Sequence, residues 1–481
     1  MKQYPISSAD ANRRTAHVES EGPHANEFGG SVKLSGASAQ NPGASVELRG
    51  TSAEALAGSV ERAIMASALR PGERLPTVRA LAGTLGLSPA TVAAAFKLLR
   101  TRGLVAGDGR RGTVVCAEPP VVARGTLALP AGVRNLALGN PDPALLPDLT
   151  PMLGRLQSTR GLYGRAANRP ELICAAARMF EADGIPAREI AVVGGAFDGI
   201  ERVLTAHLRP GDRVAIEDPG YPDVLDLARA LGLLARPVRL DDRGLVPTDL
   251  ARVLKAGVQA LVVTPRAQNP TGAALDADRT GELRTLLKPY PEVLLIEDDH
   301  AGPISGADAF TLLEETRMRW AIVRSVSKFL GPDLRLAMVA GDPLTIARVN
   351  GRQRLGTGWV SHILQQVAAE LLGDAETQKL IRRAARKYAV RRAALIDELA
   401  RHGIVAHGRS GLNVWIPVAE EGASAQALMA AGWAVAAGER FRLESPPAVR
   451  VTIAALKREE AAGFATALSG ALKPDQRGRP A

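Results

Sequence analysis

The sequence predicts a multidomain protein. A small winged helix-turn-helix lies near the N-terminus, and a larger α/β domain with a small α+β C-terminal subdomain follows. Three observations predict this. At 481 residues the chain is too long for one hydrophobic core. Between residues 51 and 117, three short helical patterns lead into a hairpin pattern. Beyond about residue 135, short apolar runs alternate with helical ones.

Residues 1–50 are rich in Ser, Ala, Gly, Asn and Glu and poor in large apolar residues, so they are expected to form a disordered extension. From residue 51, Leu56, Val60, Ala63 and Ile64 follow a helical period and give a first helix. Pro71-Gly72 breaks the chain. Thr77 can cap a second helix that places Val78, Leu81, Ala82 and Leu85 on one side. Gly86 turns a tight corner, Ser88 caps a third helix, and Pro89 takes its first position. Val92, Ala95, Phe96 and Leu99 give that helix its buried face. Gly103-Leu104-Val105 opens the hairpin, Gly107-Asp108-Gly109 turns it, and Thr113-Val114-Val115 returns. Three helices and a hairpin, with a glycine corner between the last two helices, make a winged helix-turn-helix over 51–117.

Residues 118–135, with Pro and Ala, read as a linker. The domain over 136–475 carries apolar runs at 190–193, 214–217, 260–264, 293–297, 320–324 and 336–340. Separated by helical patterns, these predict a mostly parallel sheet covered on both faces. After about 345, longer helices and weaker strands suggest the small α+β subdomain.

The net charge of +10 points to an anionic partner and says nothing about fold. The two cysteines, Cys116 and Cys174, match no metal pattern and fit a reducing compartment. No apolar run is long enough to span a membrane, and no secretory signal core is present. The expectation is a cytoplasmic protein with no metal and no membrane partner.

Within 51–117, nine Lys or Arg face four acids. Arg79 at the start of the second helix, with Arg110 and Arg111 at the wing tip, occupies positions that face phosphates in winged helices, where cations release counterions. Thr77, Ser88, Thr91 and Thr113 add hydroxyl donors. The segments Pro71-Gly72-Glu73-Arg74-Leu75-Pro76-Thr77-Val78-Arg79, Leu87-Ser88-Pro89-Ala90-Thr91-Val92 and Arg102-Gly103-Leu104 resemble the winged helix of GntR-type bacterial repressors across the whole module. That resemblance implies double-stranded operator DNA as a partner. One departure matters: the presumed recognition helix begins Pro89-Ala90-Thr91-Val92-Ala93-Ala94-Ala95, with no arginine for bidentate guanine contacts.

In the larger domain, Ser325-Val326-Ser327-Lys328 is followed seven residues later by Arg335. Upstream lie Asn269-Pro270-Thr271-Gly272 in a turn and Glu297-Asp298-Asp299 at a strand end. The order and spacing are those a pyridoxal 5'-phosphate site needs: a lysine for a Schiff base, an acid for the pyridine nitrogen, and hydroxyls with an arginine for the phosphate. Burial and nearby cations would lower the pKa of Lys328 and keep its amine nucleophilic. Backbone N–H groups of Gly195, Ala196 and Phe197, opening a helix, would complete a phosphate cup.

From roughly 135 to 470 the chain resembles the fold type I aminotransferases. Joined to a GntR-type winged helix, it resembles the MocR family of transcriptional regulators. Thr264-Pro265-Arg266-Ala267-Gln268-Asn269-Pro270-Thr271-Gly272 and Glu297-Asp298-Asp299-His300 look most like its PtsJ-like branch. The resemblance implies an internal aldimine on Lys328, phosphate ligands Arg335 and Ser325 (with Ser327 a plausible addition), and Asp298 at the pyridine nitrogen. Its neighbour Asp299 is the competing choice. It further implies Asn269 at the ring 3-oxygen and Tyr221 stacked on the ring. His300, where relatives carry tyrosine, would make a pH-dependent contact with the 3-oxygen. Where Phe197 stands, the family often has a polar residue. Arg450 matches the arginine that grips a substrate α-carboxylate in aminotransferases, which would make it the holder of an effector carboxylate here, against the alternative of an edge-strand surface residue. Tyr163 matches the loop reaching the partner subunit's phosphate.

These resemblances imply a domain-swapped homodimer that binds pyridoxal phosphate and responds to the vitamer or to a small amine or amino-acid effector. The sequence leaves two rivals. One is an active aminotransferase carrying a DNA-binding module; the other is a structural DNA-binding protein with a dead cofactor fold, disfavoured by Lys328, Asp298 and Arg335. The basic run Arg382, Arg383, Arg386, Lys387, Arg391 and Arg392 reads first as a solvated helix face, with a weaker second contact to DNA left open.

Overall fold

The computed structural model describes residues 31–35, 45–66, 68–70, 72–101, 104–107, 113–115, 129–156 and 162–472. The chain divides into two compact units.

In the first unit, β1 (Ser31–Ser35) and β2 (Ser45–Arg49) pair antiparallel. The expectation of disorder across 1–50 therefore fails for these two segments. Leu48 is fully buried, and the Arg49 N–H donates to Ser59 Oγ, so β2 is tied to the first helix. One apolar anchor and a strand pair supplied what composition alone did not suggest. Helix α1 (Ala53–Met65) starts at Ser52, whose hydroxyl accepts from the Ala55 N–H. Strand β3 (Arg74–Leu75) precedes α2 (Val78–Leu85), which is capped by Thr77 and ends at Gly86 in a left-handed conformation with φ 66°. Helix α3 (Pro89–Thr101) follows, with Ser88 Oγ accepting from the Thr91 N–H. Leu56, Val60, Leu81, Leu85, Val92, Phe96 and Leu99 are buried, as the helical period requires. The wing strands β4 (Val105–Gly107) and β5 (Thr113–Val115) join β3 in the order β3-β5-β4. The two-residue β3 is too short to leave a periodic signal.

Beyond the wing, β6 (Arg134–Asn135) pairs with a strand of the C-terminal subdomain, so the expected linker is already structured at 134–135. Helices α4 (Thr150–Gly154) and α5 (Pro170–Ala182) lead to β7 (Ile190–Val193) and α6 (Ala196–His207). Then come β8 (Arg213–Asp218), α7 (Pro222–Ala230), β9 (Leu234–Asp241), β10 (Gly244–Leu245), α8 (Pro247–Lys255) and β11 (Ala260–Val263). Helix α9 (Ala277–Leu287), β12 (Leu294–Asp299), β13 (Trp320–Ser325) and β14 (Ala337–Gly341) complete the sheet. Its order is β10-β9-β8-β11-β12-β13-β14-β7. β9, β8, β11, β12 and β13 run parallel, whereas β14 is antiparallel to both neighbours.

All six strands expected from apolar runs are present. β9 was hidden by its arginines and Pro237, which a strand toward the sheet edge tolerates. Side chains alternate between two buried faces. Val214, Ile216, Val262, Ile296 and Val323 face one cluster with α6 and α7; Ala215, Leu261, Val263, Leu295 and Ile322 face the other with α5, α8 and α9. The C-terminal part consists of α10 (Pro343–Arg354), α11 (His362–Gly373), α12 (Ala375–Arg401), β15 (Asn413–Pro417), α13 (Glu421–Ala430), β16 (Trp433–Ala434), β17 (Ala436–Ala437), β18 (Ala448–Thr452) and α14 (Ala461–Leu472). Strand β18 lies between β15 and β17, so Arg450 is on a central strand and not on an edge.

Candidate cofactor pocket and DNA-binding face

The parallel strands β8, β12 and β13 all end at one edge of the sheet, where open α/β sheets form their binding crevices. Strand parity sorts the acids there. Asp298 lies opposite Val323 and shares its face, whereas Asp299 pairs with Arg324 and points the other way. Asp299 accepts from Arg266 Nε and Nη2 and from Arg324 Nε at 2.8–2.9 Å, and Asp183 accepts from both arginines. Burial alone would raise the pKa of Asp299, but Arg324 and Arg266 outweigh it and hold the carboxyl well below the usual range.

Asp298 has no such partners. Its Oδ1 is buried without a hydrogen-bond partner among the described residues. Burial, then the charges of Asp299 and Glu217, push its pKa to about 7, with Lys328 opposing. A protonated ring nitrogen is the kind of donor that would complete it.

Lys328 lies three residues beyond the end of β13, and its Nζ donates to the Gly139 carbonyl. Burial, reinforced by Arg450, lowers its pKa to about 8, with Asp298 opposing, as expected for a nucleophilic amine. Gly139 was not foreseen, because a backbone acceptor leaves no mark in sequence. Upstream of Lys328, Ser325 Oγ donates to Ser327 Oγ over 3.1 Å and accepts from the Ser327 N–H.

At the start of α6, Gly195 takes φ 119°, and a Cβ built there would lie 3.0 Å from Arg335 Nη2. The guanidinium thus sits over the helix N-terminus, beside the first N–H groups, which have no intrahelical acceptor. Arg335 itself has a left-handed backbone with φ 42°, rare for a long side chain.

Tyr221 precedes α7, and its ring lies 5.3 Å from that of Phe197, tilted by 42°. Burial raises the Tyr221 hydroxyl to about 12, so it remains a neutral aromatic. Asn269 Oδ1 accepts from Arg450 Nη1 at 3.1 Å. Arg450 also donates to the Ala137 carbonyl and lies 4.8 Å from the Phe441 ring centre. It is 5% exposed, its Nε is unpartnered, and burial lowers its pKa to about 10. Among the described residues this buried guanidinium has no carboxylate partner. Burial, then Lys328, lowers the pKa of His300 to about 4, with Asp299 opposing, so near neutral pH its ring is uncharged. Tyr163 is 90% exposed and stacks edge-on against Trp359 at 5.7 Å.

Several supporting residues carried no motif. Glu217 accepts from the Thr264 N–H and hydroxyl and from Gln268, fixing the loop that bears Asn269. Gly272 in that loop has φ 71°, and a Cβ there would meet the Asn413 and Ser410 carbonyls at 2.8–2.9 Å. Asp218 accepts from the N–H groups of Leu443, Glu444 and Ser445. Taken together, the orphaned Asp298 oxygen, the Gly195 cradle and the low-pKa Lys328 fit pyridoxal 5'-phosphate.

In the winged helix, Arg79 projects from the first turn of α2 and is exposed. Thr77 Oγ1 accepts from the Ala80 N–H, and Ser88 Oγ lies 2.8 Å from Thr91 Oγ1, so these hydroxyls already serve helix starts. Thr113 is buried opposite Leu75, so it does not present its hydroxyl to a phosphate as expected. Arg110 and Arg111 lie outside the described residues. The exposed side of α3 begins with Pro89, Ala90, Ala93 and Ala94, a small apolar surface.

Residues 132–468 match the model of the class I and II aminotransferases, and residues 52–115 that of the gntR family of bacterial regulatory proteins. The vitamin B6 salvage pathway transcriptional repressor PtsJ of Salmonella typhimurium is 41% identical over 83% of this chain and 94% of its own. The HTH-type transcriptional regulator TauR of Rhodobacter capsulatus is 28% identical over 74% and 81%. Among solved structures, the α-aminoadipate aminotransferase LysN of Thermus thermophilus superposes with a TM-score of 0.64 at 22% identity, over 71% of this chain and 92% of that one. The last likeness shows the fold. No single helix among the described residues is long and apolar enough to cross a membrane. With both modules matched in one chain, this protein belongs to the MocR-type transcriptional regulators of the GntR family, in which a winged helix-turn-helix is fused to an aminotransferase domain that binds pyridoxal 5'-phosphate.

Proposed function

We propose that this regulator is a cytoplasmic homodimer that reads a vitamin B6 compound, or an amine or amino acid joined to it, and converts occupancy into a change in operator binding. The observation that carries the reading is the unpartnered, buried Asp298 oxygen facing the same crevice as Lys328, in a chain that also carries a winged helix. When bound, the cofactor supplies an electrophilic carbonyl and an electron-withdrawing ring. Lys328 presents the amine to that carbonyl. Asp298 holds a proton on the ring nitrogen, Asn269 and neutral His300 serve the 3-oxygen, and Tyr221 covers a ring face. Ser325, Ser327, Arg335 and the N–H groups of Gly195, Ala196 and Phe197 hold the phosphate. Arg450 takes an effector carboxylate, and Tyr163 reaches a second copy of the chain, which its exposure supports. At the DNA, Arg79, Arg110 and Arg111 neutralise phosphates, Thr77, Ser88 and Thr91 lie at helix starts beside the backbone, and the alanines of α3 face thymine methyls.

The name of the Salmonella relative favours repression of a vitamin B6 gene, and a domain-swapped arrangement is the family's implied assembly. Linkage gives the test. Pyridoxal phosphate, and then candidate amines, are titrated with and without an operator duplex located by footprinting. The expected result is an affinity difference of about 5- to 150-fold between the two conditions for at least one ligand. Equal affinities throughout, with rapid multiple turnover of an amino acid, would favour the second reading, an active aminotransferase. The buried Arg450 and the complete lysine–acid set keep that reading open.

A further inference from the structure

Helix α12 runs for 27 residues, and its two sides differ completely. Thr377, Ile381, Ala384, Tyr388, Arg392, Leu395 and Leu399 are buried and follow one helical stripe. On the opposite side, Arg382, Arg383, Arg386 and Lys387 are exposed. Their spacing of one, three and one residues keeps all four on one face within about two turns, the i, i+4 pairs rising about 6 Å along the axis. No acid occurs on α12 between Glu376 and Asp397. Among the described residues none of the four pairs with a carboxylate, whereas Lys379 nearby is paired with Glu376 at 2.7 Å. The other two cations of the run are structural. Arg391 binds Asp142 and the Ala454 carbonyl, and Arg392 donates to the carbonyls of Gly411 and Arg409.

Four unneutralised cations crowded on one turn-and-a-half repel one another, and a fold gains nothing from that crowding. A polyanion relieves it. We propose that the outward face of α12, built from Arg382, Arg383, Arg386 and Lys387, is a second DNA-contacting surface that engages duplex backbone outside the segment held by the winged helix. The inference rests on the DNA-binding reading of the N-terminal module. DNA is favoured over an anionic membrane because the helix's apolar side is already buried in its own subdomain, leaving no apolar face to insert beside the charges. It is favoured over an acidic protein because the winged helix of the same chain delivers duplex at high effective concentration. The contact is sequence-independent, since phosphates carry no base information.

The experiment uses the full-length protein loaded with pyridoxal phosphate and a fluorescein-labelled 60-bp mixed-sequence duplex, titrated between 50 and 200 mM salt. The wild type is compared with R382A/R383A/R386A/K387A, with the two-site variant R383A/K387A and with Arg79→Ala. The expected result is a salt slope shallower by roughly 2–4 for the four-site variant and by an intermediate amount for the two-site one, with affinity at 100 mM salt down about tenfold or more. Cofactor absorbance and the thermal midpoint should stay at wild-type values, which separates weakened DNA binding from damage to the fold. If the four-site variant keeps the wild-type slope and affinity while Arg79→Ala weakens binding, the α12 inference is wrong and the winged-helix reading stands. If Arg79→Ala is also without effect, Arg79 is not a phosphate contact; a wild type that fails to bind the duplex at all would sink the DNA-binding reading itself. Binding to phosphatidylserine vesicles that the four-site variant loses, with duplex binding unchanged, would overturn the proposal in favour of a membrane.

Discussion

Asp298 and Asp299 are consecutive, share one strand and are both buried, yet they have opposite surroundings. Asp299 sits in a closed quartet with Arg266, Arg324 and Asp183, every charge matched. Asp298, one pleat away on the other face of the sheet, lacks a partner for Oδ1. A matched buried charge has its partner inside the protein, and its removal leaves other charges stranded. An unmatched one waits for a partner from outside. The difference separates a residue whose charge is matched inside the fold from one whose oxygen is left unmatched there.

Breaking the quartet should have the largest effect. Asp299→Ala leaves Arg266 and Arg324 facing only Asp183, and unfolding should become easier by about 3–5 kcal/mol. Denaturant titration of the cofactor-free protein measures it, and a loss below about 1 kcal/mol would mean that Asp299 is not the keystone described. Asp298→Asn should do the reverse in the absence of cofactor. The folded-state pKa of Asp298 is raised to about 7, so its charge opposes folding progressively as pH rises from about 4 to 7, and fully above that. At pH 8 the Asn variant should be more stable than the parent by about 1–3 kcal/mol, the gain limited by an amide that is itself unpaired. Near pH 4 the gain should vanish. Glu217 and Glu297 are also raised to about 7 by burial, so part of the parent's pH dependence must survive in the variant. With cofactor the order inverts, and Asp298→Asn should bind pyridoxal phosphate more weakly and shift its visible absorption.

The contrast also explains which parts of the fold and site were legible in sequence. The proposed cofactor residues Asp298, Lys328, Asn269, Tyr221 and Arg335 stand at strand ends and turns, where residue type, order and spacing are what a sequence displays. Strand alternation puts Asp299 on the face opposite Asp298. Its partners were not legible. Asp183 ends α5 and Arg266 lies in a loop, and only the folded sheet brings them to Arg324. Backbone partners such as Gly139 leave no trace in side-chain identity. The strand pair at 31–35 and 45–49 was missed because it draws on main-chain bonds, with Leu48 buried among the described residues, and composition averages these away.

Gly195 tests the phosphate end of the pocket. Ala there would meet Arg335 Nη2 at 3.0 Å on a backbone with φ 119°. Pyridoxal phosphate affinity should fall about tenfold, near 1.4 kcal/mol, with DNA binding by the cofactor-free protein unchanged. Equilibrium dialysis reads it, and an unaltered affinity would remove the helix start from the phosphate site.

The smallest effects are expected in the winged helix, where the same distinction between matched and unmatched groups applies. Thr77 is matched, since its hydroxyl accepts from the Ala80 N–H and starts α2. Arg79, two residues on, is exposed with no carboxylate within ion-pairing distance among the described residues. Thr77→Ala should therefore cost about 1 kcal/mol of module stability and leave the salt slope of DNA binding nearly intact. Arg79→Ala should leave stability within about 0.5 kcal/mol and make the slope shallower by about 1, because one phosphate is no longer neutralised. Thermal unfolding and a salt titration on one mixed-sequence duplex measure both quantities for both variants. A Thr77→Ala protein that keeps its stability but loses the slope would show the hydroxyl serving DNA ahead of the helix, and the distinction between matched and unmatched groups would fail at this pair.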